Sequence, residues 1–154
     1  MASTTVTDFD ELSTALQDTS IDEIILAADI TYTTSTGITV TKSDRTVVID
    51  GTDPVDHNIR HSITDNNTTS PSYLIIVPAT SVAGGFGLTF KNIMWNGRNY
   101  YGVAYVVESN SNNANTTLTI DSVTYYGPQM VHNRSGRTVI KNSDIFIGKY
   151  NSTV

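Results

Sequence analysis

Apolar residues fall at helical spacing in one segment of the chain. Phe9, Leu12, Ala15 and Leu16 share one face of a helix that runs from Asp8 to about Asp18. Asp8 with Glu11 three residues later reads as an N-cap and its reciprocal partner. Polar Asp18-Thr19-Ser20 ends the segment. Beyond it the pattern changes to short apolar runs separated by Gly, Asn and Asp. Strands are predicted at 21–26, 38–41, 46–49, 73–77, 88–93, 103–107, 117–123 and 138–147. No helical pattern lies between these runs, which excludes a sheet built from βαβ units.

The strands repeat. Leu88-Thr-Phe-Lys-Asn-Ile-Met-Trp-Asn-Gly97 and Leu118-Thr-Ile-Asp-Ser-Val-Thr-Tyr-Tyr-Gly127 share one order of apolar and polar positions and a final Gly. Thr138-Val-Ile-Lys-Asn-Ser-Asp-Ile-Phe-Ile-Gly148 is a third copy, one residue longer, and Thr46-Val-Val-Ile-Asp-Gly51 is a shorter relative. Phe90, Ile120 and Ile140 align at spacings of 30 and 20 residues. A stable motif at unequal spacing implies stacked coils with loops of variable length. The predicted fold is all-β, a right-handed parallel β-helix, in which like side chains stack on like. Phe90, Ile120 and Ile140 then form one internal column, and Trp95, Tyr125 and Ile145 another. Asn92, Ser122 and Asn142 are expected to point inward at a corner as a polar ladder. A β-sandwich is the competing architecture, but only Asn96-Gly97 resembles its tight hairpin turns. The organisation expected is an N-terminal extension at 1–7, a helix at 8–18 capping an open end, and coils over 19–154 that are either capped by the tail after 148 or cut short at the C-terminus.

Composition sharpens this picture. Ser, Thr and Asn make up 52 of the 154 residues, which favours short strands and polar turns over helices. The chain has no cysteine, which removes disulfides, thiolate metal sites and a Cys nucleophile. A bacterial surface protein fits this better than a small eukaryotic secreted domain. The net charge is −6, with nine scattered basic residues, so nucleic acid is not an expected partner. No run is long enough for a transmembrane helix, so membrane insertion is not expected either.

The segments Asp8-Phe-Asp-Glu-Leu-Ser-Thr-Ala-Leu16, Ile21-Asp-Glu-Ile-Ile-Leu-Ala-Ala-Asp-Ile30, Thr46–Gly51, Leu88–Ile93 and Val123-Thr-Tyr-Tyr-Gly-Pro-Gln129 together resemble the pectate-lyase-like adhesive domains of Gram-positive cell-wall proteins. The resemblance implies a right-handed β-helix outside the cell, associated with the wall and adhesive in role.

Catalysis on such a scaffold would need a calcium site of clustered Asp and an Arg or Lys base. Asp50, Asp53 and His57 are the candidate metal ligands, among a wider group of Asp44, Asp56, Asp65 and His61. A solvated turn is the simpler reading, so no cofactor is expected, and calcium is the ion such a cluster would take. Arg134 and Arg137 are expected to pair across coils with Asp121 and Asp144 rather than to act as bases. Glu108 and Asp121 are the carboxylates a glycoside hydrolase would use, but nothing in their spacing requires it. No residue is assigned a catalytic role.

The binding signal is aromatic. Tyr100, Tyr101 and Tyr126 are the candidate exposed rings, with Arg98, Asn99, Asn133 and Arg134 as polar neighbours. Sugar rings pack on aromatic faces while their hydroxyls take amide and guanidinium partners. The function expected is adhesion to a host or bacterial surface glycan, or to a host surface protein. A polysaccharide lyase or hydrolase and a structural stalk are the alternatives. The Asn110–Asn115 loop is expected to be a solvated excursion.

Overall fold

The computed structural model describes residues 2–33, 36–66, 73–97 and 102–148. It is a parallel β-helix of three sheets. Sheet A contains β1 (Ser3–Val6), β2 (Glu23–Leu26), β5 (Arg45–Asp50), β8 (Phe86–Lys91), β11 (Thr116–Asp121) and β14 (Arg137–Lys141). Sheet B contains β3 (Ile30–Tyr32), β6 (Ser62–Asp65), β9 (Met94–Asn96), β12 (Thr124–Gly127) and β15 (Asp144–Ile147). Sheet C contains β4 (Ile38–Thr39), β7 (Ile75–Val77), β10 (Ala104–Val106) and β13 (Val131–Asn133). The strand pairings that form these sheets are parallel. Each full coil takes one strand from each sheet in turn.

The internal columns predicted from the repeat are present and longer than expected. One runs Thr4, Ile24, Ile49, Phe90, Ile120, Ile140. A second runs Ile30, Ile63, Trp95, Tyr125, Ile145. Sheet C adds Ile38, Ile75, Ala104 and Val131. Period-2 alternation puts these residues inside, and the interior is one continuous apolar cluster. The final Gly of the repeat has a steric cause. A Cβ at Gly97 or Gly127 would lie 2.5 or 2.4 Å from the Tyr125 hydroxyl, which donates to the Gln129 carbonyl at 2.6 Å.

The helix α1 (Phe9–Gln17) is where the periodicity placed it. Asp8 caps it, accepting from the Glu11 amide at 2.9 Å. Glu11 reciprocates one residue earlier than expected, accepting from the Thr7 amide at 2.7 Å. Leu12, Ala15 and Leu16 are buried, Phe9 stacks on Tyr32 at 5.6 Å, and the Thr41 amide donates to Leu16 O at 3.3 Å. The helix therefore lies across the first coil, against β3 and β4, and covers that end.

Three local expectations change. Residues 3–6, read as an extension, form β1 and pair with β2, so the helix connects two strands of sheet A rather than preceding the first. The runs at 88–93 and 138–147 are each broken at a corner, because Asn92 and Asn142 take left-handed backbone, φ 54° and 52°. The Asn110–Asn115 excursion is anchored rather than simply solvated. Asn113 is fully buried, accepts from Lys42 Nζ at 2.5 Å and donates to Val107 O at 2.6 Å. Burial lowers the pKa of Lys42, whose ammonium also donates to Thr80 O and Asn112 O.

Candidate functional site

The corner between sheets A and B carries Asp50 and Asp121, two of the carboxylates that the sequence offered for chemistry. Asp50, Lys91, Asp121 and Lys141 end successive strands in register. Because residues 49, 90, 120 and 140 point inward, these four point outward. Lys91 Nζ lies 2.7 Å from Asp50 Oδ2, and Lys141 Nζ lies 3.1 Å from Asp121 Oδ2. The column alternates in sign, so each cation pairs with the coil below.

Asn92, Ser122 and Asn142 follow these residues and do stack, but they do not form the inward ladder expected. Left-handed backbone at φ 54°, 57° and 52° turns the chain and keeps the side chains on the outer surface. Asn92 Nδ2 donates to Thr52 Oγ1 at 2.9 Å, and Asn142 Nδ2 donates to Asp121 Oδ1 at 3.1 Å. Asn tolerates this conformation because its short polar side chain bonds locally. The inside of the corner is filled instead by Ile93 and Val123.

Asp50, Asp53 and His57 do come near one another. With Glu23 and Lys91 they line a shallow depression of about 220 Å³. The bonds of the two carboxylates, however, are already committed. Burial alone raises the Asp50 carboxyl, but the Lys91 ammonium and two bonds from Thr52 outweigh it and leave the pKa lowered. Asp53 Oδ1 accepts from the Asp56 and Val55 amides at 2.7 and 2.8 Å, and Oδ2 faces His61 Nε2 at 2.8 Å. The Asp56 amide first, then His61, holds the Asp53 carboxyl down at about 2. His61 Nδ1 lies 3.4 Å from Asp29 Oδ1, so its two carboxylate neighbours lie at opposite ring nitrogens and do not converge. Among the described residues no group of three or more His, Cys, Asp or Glu is placed to hold a metal ion.

Two of the four residues expected to pair across coils do so with other partners, while Arg137 and Asp144 form no ion pair among the described residues. Arg134 pairs with Glu108, while Asp121 pairs with Lys141. The reason is topological. Arg134 and Glu108 both follow sheet C strands, whereas Asp121 sits at the corner between sheets A and B. The same separation keeps Glu108 and Asp121 from facing one groove as a carboxylate pair.

The proposed aromatic patch is partly described. Arg98, Asn99, Tyr100 and Tyr101 lie outside the described residues. Tyr126 is on the outer face of sheet B, half-buried, and stacks on Phe146 at 4.8 Å and 11°. Asn133 and Arg134 are at the far end of sheet C, so they do not adjoin Tyr126. Asn133 shapes its own turn, accepting from the Ser135 amide at 3.1 Å and donating to Thr138 Oγ1 at 2.9 Å.

Sheet C carries a second ring stack that the sequence did not single out. Tyr73 and Tyr105 stack at 4.4 Å and 15°, and His132 lies 5.4 Å from Tyr105. Tyr73 Oη and His132 Nδ1 are 2.6 Å apart. The usable signal was parity. Tyr105 and His132 each lie one position after a buried or inward residue, Ala104 and Val131, in paired strands.

No curated protein and no solved structure matches the chain. The parallel coils and the capped first turn agree with one family comparison. A family model described as a pectate lyase-like adhesive domain matches residues 3–132, most of the chain, and the protein belongs to that family.

Proposed function

We propose that the protein is a non-catalytic adhesion module on the outside of a bacterial cell, wall-associated in a Gram-positive parent, that holds a surface glycan or a host surface protein. The observation that carries this reading is the commitment of the nominated carboxylates. Asp50, Asp53, Asp121 and Glu108 each have a cationic or histidine partner, and Glu108, beyond sheet C, lies away from the three at the corner between sheets A and B. A lyase or hydrolase needs the opposite arrangement, with an acid and base free to exchange protons beside the substrate. The outer faces of sheets B and C offer rings and polar groups instead. The contact surface proposed comprises Tyr126 with Arg98, Asn99, Tyr100 and Tyr101, the last four outside the described residues.

Binding to a glycan array and to a panel of host surface proteins tests the reading. Tyr126→Ala and Tyr101→Ala should each weaken binding by about tenfold or more, the loss of about 1.4 kcal/mol. Release of unsaturated uronate from polygalacturonate with added calcium would overturn it in favour of a lyase. Absence of both binding and turnover in the folded chain would favour a stalk. The reading also requires no metal, so calorimetric titration with calcium should give no binding heat, and Asp50→Asn or Asp53→Asn should leave ligand binding unchanged.

A further inference from the structure

The corner between sheets C and A holds a buried amine against a buried carboxamide. Lys42 follows β4 and Asn113 follows β10, and they are 7% and 0% exposed. Lys42 Nζ lies 2.5 Å from Asn113 Oδ1. A carbonyl bond is about 1.2 Å long, so Nζ is no farther than about 3.7 Å from Asn113 Cγ. That approaches the separation of about 3–3.5 Å from which well-oriented groups react. Four further bonds fix the pair. Nζ donates to Thr80 O at 2.8 Å and to Asn112 O at 3.1 Å. Thr116, itself buried, donates from Oγ1 to Asn113 Oδ1 at 3.1 Å. Asn113 Nδ2 donates to Val107 O at 2.6 Å. We propose that Lys42 and Asn113 condense into an amide cross-link between their side chains, with loss of ammonia.

The step balances without an oxidant or a co-reactant. The Lys42 ammonium first gives up one proton to water, a change that burial favours by lowering its pKa. The neutral amine keeps two N–H bonds, matching the Thr80 and Asn112 carbonyls, and its lone pair is left for the Asn113 carboxamide. The Nζ–Cγ bond forms, and the Thr116 hydroxyl stabilises the negative charge that gathers on Oδ1. The Cγ–Nδ2 bond then breaks with its electron pair going to Nδ2. Nδ2 takes one proton from Nζ and leaves as ammonia. Between free molecules such a condensation is slow. Holding the amine and the amide in place removes the entropic part of that barrier.

The position gives the link a use. Lys42 closes the first full coil, Thr80 lies at the same corner of the second, and Asn113 lies at that of the third. A bond from Lys42 to Asn113 therefore clasps the second coil between its neighbours. The chain has no cysteine, so this is a cross-link available to it without disulfide chemistry.

Mass spectrometry of the intact, purified chain tests the proposal. The expected mass is that of the sequence less one ammonia. Trypsin does not cut after an acylated lysine, so digestion should release a branched peptide joining residues 1–45 to residues 99–134. Lys42→Met cannot form the link and should keep the full sequence mass. Thr116→Val should slow the loss of ammonia by about tenfold or more. A native chain at full sequence mass, with separate peptides ending at Lys42 and at Arg134, would overturn the proposal whether or not the variants fold. So would a loss of ammonia that persists in Lys42→Met, because it would then come from elsewhere, such as a succinimide at Asn96-Gly97. Linkage in Thr116→Val as fast as in the native chain would contradict the step as written.

Discussion

Ile24 and Ile140 belong to the same internal column, and their surroundings are opposite. Ile24 lies in the first coil, beside β1 and under the end covered by α1, and is fully buried. Ile140 lies in the last described coil and is 51% exposed. Residue type, sheet and orientation are the same at both ends. What differs is whether a neighbouring layer sits on top. In a solenoid each coil is stabilised by its own contacts and by its neighbours, so a helix at one end does for the first coil what another coil does in the middle. The β14 end has no such layer among the described residues, which is why its apolar side chains face solvent.

The largest expected effect breaks this comparison directly. Ile24→Ala should destabilise the fold by about 2–5 kcal/mol, as for a buried core position, whereas Ile140→Ala should cost less than about 1 kcal/mol. Chemical denaturation of the two variants measures the difference, and equal losses would refute the asymmetry.

Acid should act mainly on the covered half. Asp29, Asp50, Asp53 and Asp121 are all held below the ordinary carboxylate value, and three of the four lie in the first two coils. A carboxyl lowered in the folded state stabilises the fold above its unfolded value and loses that contribution as pH falls through the lowered one. The midpoint of thermal unfolding should therefore be steady above about pH 5 and decline between about pH 4 and 2. A decline beginning near neutrality would point to other groups.

The helix cap is a smaller lever at the same end. Asp8→Ala removes the bond to the Glu11 amide and should cost about 1 kcal/mol, measured by the shift in denaturation midpoint. The smallest effect lies towards the open end. Ser122 holds left-handed backbone, φ 57°, which glycine adopts without strain, so Ser122→Gly should stabilise by a few tenths of a kcal/mol up to about 1. A loss of stability would mean that the Ser122 hydroxyl bond to Asp121 outweighs the strain.

Much of the fold was legible in the sequence because the repeat fixes which positions are equivalent. Phe90, Ile120 and Ile140 could be aligned by eye, and alignment in a solenoid is also contact. The helix was legible from its spacing and its cap. The corners were not, because a left-handed Asn leaves the apolar alternation unbroken on both sides. The run at 138–147 therefore read as one strand when it is two. The short strands β1, β3 and β13 have too few apolar residues to stand out. The candidate site was less legible than the fold. Parity could place Tyr126 outside, but whether a ring is free or stacked depends on the next coil, as Phe146 shows. The charged corner misled for a related reason. Asp50 and Lys91 are 41 residues apart and become neighbours only when their strands pair.

Hydrogen exchange on the dilute chain tests the asymmetry of the two ends most directly. Amides of β2 and β3 should exchange only with global unfolding, while those of β14 and β15 should exchange far earlier through local opening. Equal protection at the two ends would contradict the account.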